Sequence, residues 1–370
     1  MKKLQAPRGT LDVLPPDARR RLRLLDIAGD VLGRAGYEPM ETPVFEDTEL
    51  FARGVGESTD IVQKEMFTFE DKAGRFRQFT QIGAEALGSD DPTLDAELIL
   101  LLAEIFERAC TGPSRLRLSS LGTQATRADY LDELRGYLRA HEGELSDEVR
   151  ERLDQNPLRA FDADHAGTQA VMVDAPRLIE RLSSEDAEHF AEVRGLLDAA
   201  GLPYELDATL VRGLDYYTRT VFEFESERLG AQAALGGGGR YDGLVEELGG
   251  PPTPGVGFAA GVERMLLAAG DEDVEQSPRV FISHTADSPV RLQLAQLLRS
   301  LGLRVEMEQA GRSMKGQMKQ ADRIGALVTV ILGEGIEVKD MTTGEQRRAE
   351  TFDDVVELVR EVTDREASTT

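Results

Sequence analysis

The spacing of apolar positions changes several times along the chain, and each change marks an element. Over 17–36, Leu22, Leu25, Ile27, Val31 and Leu32 recur at helical spacing and Gly36 stops the run, which predicts a helix. Tyr37–Phe45 carries Pro39 and Pro43, which forbid a helix and place the stretch at an edge or an interface. Met66–Phe69 and Arg75–Ile82 read as two strands joined by a turn over 70–74. Asp91 as cap and Pro92 in the first turn open a helix running to about Ala109, and Arg115–Leu118 alternates as a strand.

Residues 125–200 change character. They are charged and mostly helical, with Leu131, Leu134, Leu138, Leu145, Val149 and Leu153 marking apolar faces. Ser184, followed by Glu185 and Asp186, opens the last helix of this block and Gly201 ends it. Strands and glycines return from Tyr204 to Gly257, Phe258–Ala268 reads as a helix, and the acidic stretch Ala269–Pro278 reads as a linker. Beyond it come a strand (Val280–Ser283), a helix (Val290–Leu301), a strand (Arg304–Met307) and a helix (Ser313–Ile324). Strands at Leu327–Leu332 and Ile336–Asp340 and a helix at Phe352–Val362 complete the order. That alternation predicts a small α/β domain with a mainly parallel sheet. The expected division is 1–124 with 201–270 as one stranded domain, 125–200 as a helical insertion, and 278–365 as the α/β domain.

Composition narrows the partners. Sixty-eight acids against 43 bases give a net charge of -25, which by itself argues against a nucleic-acid partner, although the average can hide a local basic patch. Lys is scarce and absent between Lys72 and Lys315, so anion contacts across that span fall to Arg or backbone. The single Cys110 excludes an internal disulfide framework. His141, His165, His189 and His284 are scattered without metal-ligand spacing, so no structural metal is expected. No apolar segment follows Lys2 and Lys3, and the run Leu98–Ala103 is too short for a bilayer, so a cytoplasmic protein away from membranes is expected.

Two stretches concentrate chemistry. Leu210–Phe224 holds Arg212, Asp215, Tyr216, Tyr217 and Arg219 in one extended run; a solvated strand with an aromatic core face is the plainer reading. Leu235–Gly243 places four glycines in a strand region and ends in Arg240-Tyr241-Asp242. Each such glycine costs roughly 0.5–1 kcal/mol, and close approach of a ligand to the backbone is the usual compensation. A flexible linker is the alternative.

These two stretches resemble the histidine-specific motifs of the histidyl-tRNA synthetases, a class II aminoacyl-tRNA synthetase family. Gly255–Arg264 is similar to class II motif 3, and Tyr37–Phe45, with Pro43, to motif 1, the segment through which such enzymes form homodimers. The C-terminal block, with Thr343-Gly344-Glu345-Gln346, resembles the anticodon-binding domain. The resemblance covers nearly the whole chain. It implies an α+β fold: an antiparallel class II catalytic sheet with a helical insertion, then the anticodon-binding α/β domain. It implies ligation of histidine to tRNA(His), with ATP as substrate together with Mg2+.

By the same resemblance, Arg212 bridges the histidine carboxylate and the α-phosphate, and Arg264 lies against adenine and γ-phosphate. Phe79 stacks on the other adenine face, or simply packs a strand. Glu85 and Tyr217 bond the imidazole, Gln81 holds the α-amino or carboxylate group, and Tyr216 and Tyr241 complete the pocket. Arg312, Lys315, Lys319 and Arg323, spaced by three and four, place cations on one helix face; a solvated face is the plain reading and anticodon contact the implied one.

At one place the chain departs from the family. Between Phe69 and Phe79 the family carries a few dozen more residues, including the front half of motif 2 with its α-phosphate arginine. Here Phe69–Gly74 runs straight into Arg75-Phe76-Arg77-Gln78-Phe79, which suggests a deletion. Arg75 and Arg77 are the nearest substitutes at the ATP site, and no P-loop glycine motif replaces the lost part. A catalytically impaired synthetase, or a synthetase-like histidine-binding regulatory protein, is therefore the alternative to a full ligase.

Overall fold

The computed structural model describes residues 12–43, 50, 79–154, 156–210, 216–230, 233–270, 279–285 and 290–367. Two compact units divide the chain, Met1–Asp273 and Val274–Thr370.

The first unit is built on a six-stranded sheet. Its strands are β1 (Gln81–Leu87), β2 (Arg115–Ser120), β3 (Glu205–Leu206), β4 (Thr218–Glu225), β5 (Ala234–Arg240) and β6 (Gly255–Gly261). They lie in the order β1-β6-β5-β4-β2-β3, antiparallel except for the short β2–β3 pair. One face carries Ile82, Ala84, Leu116, Leu118, Phe222, Phe224, Val256, Phe258 and Ala260. Helices Asp17–Arg34, Pro92–Arg108 and Ser184–Ala200 contribute Val31, Leu98, Leu102, Phe106 and Val193 to the same core. The helix Pro92–Arg108 starts as the sequence indicates, with the Asp91 carboxylate accepting from Thr93 N at 2.8 Å. Gly201 closes Ser184–Ala200 at φ 74°, while its cap is Ser183 rather than Ser184.

Helices between Gln124 and Val173 form a second core that includes Tyr130, Leu134, Leu138, Leu145 and Met172. It closes on Leu210, Tyr217, Val221 and Tyr241, so it covers part of the opposite face of the sheet, and among the described residues the β1–β6 side is left open.

Several sequence expectations shift. The strand expected over Arg75–Ile82 is described from Gln81 and runs on to Leu87; Met66–Phe69, 70–74 and 75–78 lie outside the described residues. Phe258 to Gly261, expected in a helix, belong to β6, and the helix starts at Val262. The apolar run reads either way, but strands on both sides of β6 supply its hydrogen bonds. Residues 37–43 form no strand and are largely exposed, and 44–45 lie outside the described residues.

The second unit has a five-stranded sheet of β7 (Arg279–His284), β8 (Arg304–Met307), β9 (Val328–Leu332), β10 (Ile336–Asp340) and β11 (Gln346–Ala349), in the order β11-β10-β9-β7-β8. Val280, Ile282, Val328 and Val330 pack against Leu294, Leu298, Val355 and Val359 from the flanking helices. The sheet is mixed rather than mainly parallel. The β7–β8 and β7–β9 pairs are parallel, but β9, β10 and the unexpected β11 form an antiparallel meander. Connections this short, Gly333–Gly335 and Met341–Glu345, cannot make a parallel crossover.

Candidate active site on the open sheet face

Residues paired across an antiparallel ladder share a face, so the register defines the site. Glu85 stands opposite Gly257, which stands opposite Gly239; Gly83 stands opposite Ala259, then Gly237, then Glu223. Gln81 and Glu85 therefore project from the same side of β1, with Cα atoms about 13 Å apart, and flank a trough floored by Gly83 and Ala259.

Glycine in these strands makes room for the protein's own side chains. A Cβ on Gly257 would sit 1.6 Å from Glu85 Oε2, one on Gly255 would sit 2.5 Å from the Tyr241 ring, and one on Gly239 would sit 2.9 Å from Tyr217 Cδ1. A Cβ on Gly238 would meet Gly257 O at 1.9 Å. Expected as room for a ligand against the backbone, Gly238 and Gly239 are instead filled by neighbouring strand and tyrosine ring.

The Tyr241 hydroxyl donates to Glu85 Oε2. Tyr216 packs on Tyr217 at 4.8 Å between ring centroids and edge-on against Tyr241 at 5.8 Å. Glu85 keeps access to solvent, yet the protein crowding its carboxylate raises its pKa, and the Tyr241 donor offsets this only in part. Burial and the neighbouring Glu85 charge likewise push the Tyr241 phenol up, so it stays a donor. Of the histidine-pocket candidates, Gln81, Glu85, Tyr216, Tyr217 and Tyr241 thus come to one face. The tyrosine on the Glu85 carboxylate is Tyr241, while the Tyr217 ring lies over Gly239.

Among the ATP candidates, Phe79 is 64% exposed rather than packed in a strand. Arg264, half-buried in the first turn of Val262–Ala269, donates to Ala234 O at the end of β5. Glu263 beside it accepts from Thr80 N at 3.1 and 3.2 Å and fixes the approach to β1. Arg75, Arg77 and Arg212 lie outside the described residues.

Three supporting arrangements were not assigned from sequence, although Arg240 and Arg219 stand in the two stretches that concentrate chemistry. Arg240 is fully buried and spends its donors on Asp95, Asp242 Oδ1 at 3.1 Å, Ser89 O at 3.1 Å and Asp91 O at 3.2 Å. It anchors the residue next to Tyr241. An acid on an otherwise apolar helix face, Asp95 with Leu98, Ile99 and Leu102 at helical spacing, was the available signal. Arg219 and Asp186 form the second buried pair, at 3.1 Å. Arg127, the third, donates to Tyr217 O.

In the C-terminal unit, Lys315, Lys319 and Arg323 lie exposed on the helix Met314–Arg323. The expected four-cation face loses Arg312. It precedes the Ser313 cap, and its guanidinium binds the buried Glu308 at 3.0 Å, so its charge is neutralised locally. A cavity of about 520 Å³ within the C-terminal unit, lined by Met314, Met318, Thr285, Lys339, Gln346 and Arg348, adjoins this helix.

Comparison with known proteins gives two family matches along the chain. Residues 68–265 match the family described as Histidyl-tRNA synthetase, and residues 279–362 match the one described as Anticodon binding domain. The chain is 44% identical to the histidine–tRNA ligase of Rubrobacter xylanophilus, covering 92% of this chain and 96% of the relative. It is 39% identical to that of Halorhodospira halophila, covering 97% and 98%. Apo histidyl-tRNA synthetase of S. aureus is similar in structure, with a TM-score of 0.78 and 32% identity, over 96% of this chain and 99% of that one. The Halorhodospira alignment spans 415 positions against a chain of 370 residues, so part of that relative faces a gap here.

Proposed function

The chain belongs to the histidyl-tRNA synthetase family and is a histidine–tRNA ligase, and from that premise we propose how its residues divide the reaction. Histidine lies across the trough over Gly83 and Ala259. Its imidazole points to Glu85 and the tyrosines, and its α-amino or carboxylate end points to Gln81. Glu85 accepts one ring N–H, and a hydroxyl of the group Tyr216, Tyr217 and Tyr241 serves the other nitrogen. The observation that carries this reading is the Glu85–Tyr241 bond inside a tyrosine cluster, on a face where Gly255 and Gly257 make room for the Tyr241 ring and the Glu85 carboxylate.

ATP, as its magnesium complex, is the co-substrate, with Phe79 and Arg264 on its adenine and Arg264 reaching the γ-phosphate. The histidine carboxylate attacks the α-phosphorus, the bond to the β-phosphate oxygen breaks, and pyrophosphate leaves. A ribose hydroxyl at the tRNA end then attacks the adenylate carbonyl, and AMP leaves. Because the substrate carboxylate is itself the nucleophile, positioning and charge neutralisation carry the catalysis. Arg212 takes the bridging place between carboxylate and α-phosphate by its motif. The few dozen residues missing beside motif 2 remove another α-phosphate donor, and losing one such donor typically costs ~10²–10³ in rate. Adenylate formation is therefore slow in this chain, while histidine binding survives.

Lys315, Lys319 and Arg323 contact tRNA(His). The exposed segment 37–43, with Met40 83% exposed, supports a homodimer through the region around Pro43. Among the described residues no helix is long and apolar enough to cross a membrane, and a cytoplasmic site of action fits a tRNA substrate. Calorimetry with free histidine tests the pocket: binding that Glu85→Ala weakens is expected, and a titration indifferent to that change removes the assignment.

A further inference from the structure

We propose that Arg219 and Asp186 are a positioning pair that holds the Tyr216–Tyr217 segment at the imidazole, a reading that rests on the histidine pocket just described. Between the Thr218–Arg240 and Val221–Gly239 pairs, β4 carries Arg219 and Thr220 with no counterpart on β5. Such bulges re-aim side chains beside active sites. Arg219 sits at φ 45°, a left-handed conformation shared among described non-glycine residues only by Cys110. That conformation costs about 1–2 kcal/mol and persists only where the surroundings over-determine it.

Here they do. Arg219 N donates to Gly122 O at 2.8 Å, and Arg219 O accepts from Leu121 N at 2.7 Å. Its buried guanidinium donates to Asp186 Oδ1 at 3.1 Å and to Glu185. Asp186 is fully buried, and its Oδ2 accepts from Thr123 N at 3.0 Å, Thr123 Oγ1 at 3.2 Å and Thr126 Oγ1 at 2.6 Å. Arg127 holds the same segment from its other end through Tyr217 O. Gly122, at φ 59°, passes close by; a Cβ there would lie 3.3 Å from Asp186 Oδ2.

A buried ion pair gives little net stability against an apolar replacement, so its value here lies in fixing one geometry. The pair fastens the bulge to two helix starts, Gln124 and Ser184, and the tyrosines leave the bulge two and three residues upstream. The helical block and the imidazole pocket are thereby joined through one strained residue.

The test is calorimetric titration of the whole chain with histidine, beside thermal unfolding and intrinsic tyrosine fluorescence, which no tryptophan obscures. Arg219→Ala should raise the histidine Kd about tenfold or more. Arg219→Lys, which restores the charge, should recover part of that loss, and the histidine-induced tyrosine signal should fall with affinity. If Arg219→Ala does not fold, Glu185→Gln, which alters the exposed partner only, should still weaken histidine binding. Variants that lower Tm but leave Kd and the tyrosine signal unchanged would overturn the pair alone, provided Glu85→Ala weakens binding. Absence of histidine binding in the unaltered chain would overturn the pocket assignment itself.

Discussion

Glu85 is where the site's chemistry is most exposed to test. Removing its carboxylate leaves Tyr241 and the incoming imidazole each short of an acceptor, so Glu85→Ala should weaken histidine binding by about 1.5–3 kcal/mol. Tyr241→Phe, which frees the carboxylate but strips its donor, should cost less in the same titration. The raised pKa of Glu85 gives a second expectation. A carboxyl held above its ordinary 4.5 in the fold opposes folding at pH values above the raised pKa. That opposition fades as pH falls towards the unfolded-chain value. Glu85→Gln should therefore raise Tm at pH 7, by a margin that shrinks as the pH is lowered through the native pKa. Equal margins at pH 7 and pH 4.5 in thermal melts would show that the carboxylate is not desolvated. The carboxylate itself was readable from its motif, whereas its partner was not: which tyrosine meets it depends on the bulge in β4, a long-range feature that spacing in one strand cannot carry.

At the scale of elements, the glycine-bearing strands do most to shape the site. Alternation in Gly255-Val256-Gly257-Phe258 already says that one face is apolar and the other empty, yet from Phe258 onward the sequence passes for a helix. Pairing on both edges decides in favour of strand. Gly238→Ala would drive a Cβ into the β6 backbone, and a cost of about 1–3 kcal/mol is expected in urea unfolding. A neutral result would mean that β5 and β6 are less closely apposed. The helix Met314–Arg323 was readable in place and cap, but not the fate of Arg312, which Glu308 captures from the preceding strand's end. Lys315→Glu with Lys319→Glu should thus weaken tRNA binding and flatten its salt dependence, while Arg312→Ala should act mainly on stability. Binding measured across a salt series separates them; equal effects on tRNA affinity would return Arg312 to the RNA face.

For the whole molecule, the motifs in their order gave the family, and the two compact units carry its two matched regions, 68–265 and 279–362. A net charge of -25 leaves RNA recognition to a few placed cations rather than to a general field. What sets the proposed reading of this chain apart is the join between Phe69 and Phe79 in its sequence: on that reading the histidine-contacting residues are kept and part of the phosphate-contacting set is missing. Histidine-dependent ATP–pyrophosphate exchange addresses that directly. It should be run on this chain, on its Glu85→Ala variant, and on a version with the family's missing segment restored. Slow exchange in this chain, abolished by Glu85→Ala and raised ~10²-fold or more by restoration, is the expected result. Equal rates with and without the segment, or exchange that Glu85→Ala leaves untouched, would contradict it.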